Sequence, residues 1–158
     1  MGIAAALMAA GCGSSSSSAT TTTASTPATA TPARATARAV TVTTGTVIGL
    51  GTVLENGHGD VLYIYTPDGT KGVTCTGGCA SEWPALTVPQ GQTPAAGGGA
   101  RAELVGTTAS PGGATVVTYA GRPLYTYAGD ASAGVANGQG AGGVWYVVAP
   151  SGTYRDSS

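Results

Sequence analysis

The heptapeptide Leu62-Tyr63-Ile64-Tyr65-Thr66-Pro67-Asp68 returns as Leu124-Tyr125-Thr126-Tyr127-Ala128-Gly129-Asp130, at an offset of 125 − 63 = 62 residues. The same offset carries Gly72 onto Gly134, Val73 onto Val135, Gly78 onto Gly140 and Trp83 onto Trp145. A register shared by two tyrosines, an aspartate and a tryptophan predicts an internal duplication, with copies at about 46–90 and 104–156. Two such units are too few for a solenoid, which needs three or more. Neither is large enough to bury a core alone, so the pair is expected to pack as one domain over 46–156 with pseudo-two-fold symmetry.

Composition sets the fold class. Gly occurs 27 times and Phe is absent, which leaves Val, Leu, Tyr and Trp as the large apolar side chains. Glycine disfavours helix, whereas Val, Thr and Tyr suit pleated strands, so the domain is predicted to be all-β and built on hairpins. Charged residues make up 8% of the chain and the net charge is −1, so no basic face exists for nucleic acid.

In the first copy, 46–55 reads as a strand or a pair of short strands, and Asn56-Gly57-His58-Gly59-Asp60 as a turn before a strand over 61–65. The two-residue period puts Leu62 and Ile64 on one face and Tyr63 and Tyr65 on the other. Asp68 and Asp130 follow as turn residues whose carboxylates accept backbone N–H groups. His58, the only histidine, lies in a glycine-rich turn with no nucleophile motif beside it. No catalytic residue is expected, and the domain reads as non-enzymatic.

Cys75 and Cys79 enclose Thr76-Gly77-Gly78. In an exported chain this spacing points to a local disulfide, for which so short a loop contributes about 2 kcal/mol. Redox exchange or copper handling by the same pair is the alternative, although a zinc site would want four ligands. At the offset of 62, Cys75 falls on Asn137 and Cys79 on Ala141, so the second copy would make the same turn without a bridge. Trp83 and Trp145 are expected to close the two half-cores, with a carbohydrate-stacking platform as the other reading. Residues 91–100 read as an exposed Gly/Ala-rich spacer. In the second copy, strands are expected over 104–108, 115–119, 124–127 and 144–148. No metal ligand set and no cofactor motif is present.

The first 45 residues differ in kind. Residues 13–45 are rich in Ser, Thr, Ala and Pro and are expected to form a disordered tether, having too little apolar surface to offset the entropy of ordering. Before it, the apolar run 3–10 is far short of the roughly 20 residues that span a bilayer. Ala9-Ala10-Gly11-Cys12 resembles the lipobox of bacterial lipoproteins, which implies a signal segment over 1–12 and lipidation of Cys12.

The Tyr-x-Tyr-x-x-Asp copies, Cys-x-x-x-Cys-Ala-x-x-Trp-Pro from Cys75 to Pro84, Gly121-Arg122-Pro123-Leu124-Tyr125, and the glycine run 138–143 before Val144-Trp145 complete the pattern. Together they resemble the bacterial secreted-repeat lipoproteins with a Tyr-x-(Phe/Trp/Tyr)-x-x-Asp motif. That resemblance implies an exported cell-envelope protein, held on the membrane through Cys12 or secreted, whose β domain binds or scaffolds an unidentified envelope component. It supplies no catalytic residues.

Overall fold

The structure, a computed structural model, describes residues 40–156. The expected signal segment, the lipidation site Cys12 and most of the expected tether lie outside the described residues. Among the described residues the regular structure is mostly strand with one short α-helix, and no helix is long and apolar enough to cross a membrane.

The first hairpin joins β1 (Thr41–Val47) to β2 (Gly51–Asn56), with Val42 opposite Asn56 and Val47 opposite Gly51. β1 therefore starts five residues before the expected start of the first copy and takes residues 41–45 out of the expected disordered tether, because Val40 and Val42 alternate with threonines and turn their side chains into the core. The next turn is held by Asn56, whose Oδ1 accepts the N–H groups of His58 (2.9 Å) and Asp60 (3.0 Å). It delivers the chain to β3 (Tyr63–Tyr65). The 91–100 segment is a second departure from expectation. It contains β5 (Ala95–Ala96), which pairs in parallel with β1 and covers its outer edge.

In the second half β6 (Val105–Ala109) pairs with β7 (Thr115–Tyr119), and β4 (Thr87–Val88) and β8 (Arg122–Pro123) also join β7. The β7–β8 turn places Ala120 at φ 49° and Gly121 at φ 78°, the doubly left-handed conformation of a tight hairpin turn. The expected strand over 124–127 is reduced to isolated bridges at Tyr125. The last strand, β9 (Trp145–Val147), returns to pair with β3 of the first half.

The halves interlock at this point. Tyr63 and Tyr125 exchange backbone hydrogen bonds, each N–H donating to the other's carbonyl at 2.9 Å. Contacts around them come in matched pairs. Thr66 N–H donates to Val144 O and Ala128 N–H to Glu82 O, both at 2.9 Å. Leu54 N–H donates to Val148 O and Val117 N–H to Leu86 O, both at 2.8 Å. The segment around each tryptophan is zipped to the tyrosine segment of the opposite half, Trp145–Val147 to Tyr63–Tyr65 and Pro84–Leu86 to Leu124–Thr126. Both faces of β3 are covered: Leu62 and Ile64 pack with Val42, Leu54, Val117 and Tyr119, while Tyr63 packs with Tyr125, Trp83 and Trp145.

Candidate functional site

The motif residues converge on that second cluster. Tyr63 and Tyr125 are fully buried, and a buried phenol needs a hydrogen-bond partner. Each finds it in the aspartate of the other half. Tyr63 Oη donates to Asp130 Oδ2 at 2.8 Å, and Tyr125 Oη donates to Asp68 Oδ2. The other oxygen of each carboxylate takes a turn amide, from Thr74 to Asp68 (2.8 Å) and from Asn137 to Asp130 (2.8 Å). Thr74 Oγ1 also donates to Asp68 Oδ1. The expected turn-capping role is present at both aspartates, and the tyrosine contact is an addition to it.

The two aspartates are not equivalent. Asp68 is 1% exposed and Asp130 only half-buried. Burial raises the Asp130 pKa, against the opposing effects of the Tyr63 phenol and the Asn137 amide. Burial, followed by the hydrogen bond to the carboxylate, pushes the Tyr63 and Tyr125 phenols far above the usual tyrosine range. Both phenols are thereby held neutral.

Beside them four rings form one stack in the order Tyr65, Trp145, Trp83, Tyr127. Centroid spacings are 4.5, 4.0 and 4.2 Å, and the two indoles are 3° from parallel. Each tyrosine stacks on the tryptophan of the opposite half. Tyr63 and Tyr125 meet Trp83 and Trp145 edge-on at 5.3 and 5.1 Å. The tryptophans therefore do not close separate half-cores. Their faces are occupied by other rings and their exposure is 4% and 5%, so neither offers a platform to a sugar.

Cys75 and Cys79 are joined as a disulfide with Cα atoms 5.3 Å apart. The bridge borders helix α1 (Gly78–Glu82), whose Cys79 carbonyl accepts the Trp83 N–H at 2.8 Å and so helps seat the indole. In the second half the hydrogen bonds shift the correspondence by one residue. Thr74 and Asn137 are the matching donors, so Cys75 corresponds to Gly138 rather than to Asn137. A side chain there is impossible without movement, since a Cβ on Gly138 would lie 2.5 Å from Trp83 Cη2. That loop is held instead by Asn137, whose Nδ2 donates to Gly129 O at 3.0 Å.

His58 is exposed, and among the described residues no group of three or more His, Cys, Asp or Glu could hold a metal ion. Sequence reasoning assigned no site role to Thr74, Asn137 or Gly138, which serve the site through their backbone amides, Thr74 and Asn137 through their side chains as well. It also missed Tyr119, fully buried, whose Oη donates to Pro150 O (2.7 Å) and accepts from Arg101 N (2.8 Å).

No curated protein and no solved structure matches this chain. Residues 106–149, which run from β6 through Tyr125, Tyr127, Asp130 and Trp145 to just past β9, match a family model described as a secreted repeat of unknown function.

Proposed function

We propose that this is a lipid-anchored cell-envelope protein whose β domain is a non-catalytic binding or structural module made of two pseudo-symmetric copies. One observation carries the reading. The repeated polar and aromatic residues are engaged with one another, tyrosine to the opposite aspartate and ring upon ring. A catalytic constellation would hold such groups toward a cleft, with a base or nucleophile in reach of substrate. Here they cement the two halves, and the outer surface is left for contact with other envelope components. The secreted-repeat match supports the extracytoplasmic setting, and the lipobox-like Ala9-Ala10-Gly11-Cys12 supports the anchor. Fractionation of cells expressing the wild-type chain and Cys12→Ala tests the anchor. The wild type is expected in the membrane pellet and the variant in the soluble exported fraction; membrane retention of the variant would overturn the anchor.

A further inference from the structure

The two buried phenols are bonded differently. Tyr63 Oη donates to Asp130 Oδ2 at 2.8 Å and also accepts the Gly138 N–H at 3.3 Å, so its oxygen stands between a carboxylate and a backbone donor. Tyr125 Oη donates to Asp68, a carboxylate that also takes the amide and the hydroxyl of Thr74 and is closed off from water. Asp130 takes one donor fewer, the Tyr63 phenol and the Asn137 amide, and burial already biases it toward its protonated form. The Tyr63 ring also meets the stack, edge-on to Trp83 at 5.3 Å and to Tyr127 at 6.5 Å. The end rings of that stack, Tyr65 and Tyr127, are half-buried, so a row of touching π-systems runs from solvent-touched rings through two buried indoles to the Tyr63 phenol. The described residues hold no methionine, and Cys75 and Cys79 are already oxidised to the disulfide. With the usual sulfur donors missing there, tyrosine and tryptophan are the side chains from which an electron is most readily taken.

We propose that Tyr63 is a redox-active tyrosine, oxidised through the ring stack by a small one-electron oxidant in solution, such as an oxidising radical, with its proton passing to Asp130. The oxidant takes one electron from Tyr65 or Tyr127. The vacancy moves ring to ring to Trp83 and is filled from Tyr63. A phenol yields its electron readily when its proton leaves with it, and the Asp130 carboxylate stands within the distance at which a positioned base takes a proton. The step balances: the Tyr63 hydroxyl and the Asp130 carboxylate become a neutral phenoxyl radical and a carboxylic acid, and the oxidant gains the electron. The radical oxygen then accepts from both the Gly138 N–H and the newly protonated Asp130. A one-electron reductant of the phenol or enediol class restores the electron, and the proton returns from Asp130. Burial shields the radical from coupling to a second one, so the cycle is reversible. The domain would thus act as a sink for oxidising equivalents, a role that goes beyond the envelope function proposed above and does not depend on the anchor.

Flash oxidation of the full chain with photogenerated tris(bipyridine)ruthenium(III) tests it, followed by transient absorption and electron paramagnetic resonance. The wild type should show a long-lived tyrosyl radical whose formation slows in heavy water. Tyr63→Phe should lose that long-lived signal and leave a tryptophan radical in its place, whereas Tyr125→Phe should keep it. Asp130→Asn, which preserves shape and removes the base, should form the radical more slowly and without the isotope effect. Near-ultraviolet circular dichroism reports whether each variant retains the packed rings, and the isosteric Asp130→Asn carries the test should Tyr63→Phe not fold. A long-lived signal that survives in Tyr63→Phe or vanishes in Tyr125→Phe would overturn the proposal. So would a rate and isotope effect untouched in Asp130→Asn, which is what a purely structural hydrogen bond predicts.

Discussion

Trp83 and Trp145 lie ring on ring, 4.0 Å apart and 3° from parallel, at the centre of a contact that no single half of the chain could make. Each is also clasped by a tyrosine from the opposite half, so removing one indole strips partners from both. Trp145→Ala should lower stability by about 3–5 kcal/mol, the range for deleting a buried large aromatic. Trp83→Ala should cost a similar amount, and the double variant should cost clearly less than the sum, since the stacked pair is lost only once. Urea denaturation of the three variants provides the comparison, and simple additivity would contradict the packing described.

Asp68→Ala should cost more than Asp130→Ala. Asp68 is buried and receives the Tyr125 phenol together with the Thr74 amide and hydroxyl; its loss leaves these donors unsatisfied, at about 3 kcal/mol. Asp130 is half exposed, and water can replace it for the Asn137 amide, so about 1 kcal/mol is expected. Equal costs would show that burial does not distinguish the two. Chelator should leave both melting temperatures unchanged, because both oxygens of each carboxylate are taken up by protein donors.

Alkali should unfold the protein by way of its two buried phenols. Both have folded-state pKa values raised above the ordinary 10.0. Their contribution is therefore complete below about pH 10 and is lost as pH rises toward the folded values, because the unfolded chain releases protons that the native state retains. The slope of stability against pH above that point should diminish by about one proton in Tyr63→Phe, as read from urea midpoints across the alkaline range. An unchanged slope would count against a shifted Tyr63.

Replacing both Cys75 and Cys79 by Ala should lower stability by about 2 kcal/mol and leave cooperative unfolding in place. The reason lies in the second half, where the corresponding loop is held without a bridge by Asn137. Loss of a cooperative transition in that double variant would make the bridge a condition of the fold.

Much of this architecture was legible in the sequence. The offset of 62 located the residues of the ring stack, and the two-residue period assigned Leu62 and Ile64 to one core and Tyr63 to the other. Periodicity reports which face a side chain takes, but not which partner it meets there. The exchange of tyrosines and aspartates between halves was therefore invisible. The one-residue shift at Asn137 was hidden as well, since six residues separate Asp68 from its amide donor and seven separate Asp130 from its own. Strand β5 escaped because Ala95-Ala96 has no strand-forming side chains; its pairing is made by the backbone alone. The start of β1 was lost in threonine-rich sequence that continues the composition of the stretch before it.

The interlocking of the halves also governs when the domain can form. Tyr63 waits for Asp130, 67 residues later, and β3 waits for β9 near the end of the chain. Contacts so distant in sequence delay folding, because loop closure must precede any reward. A chain passing N-terminus first through an export channel would present its first half without the strand that completes it. Until Trp145–Val147 emerges, β3 has no strand partner and that half is expected to remain incomplete.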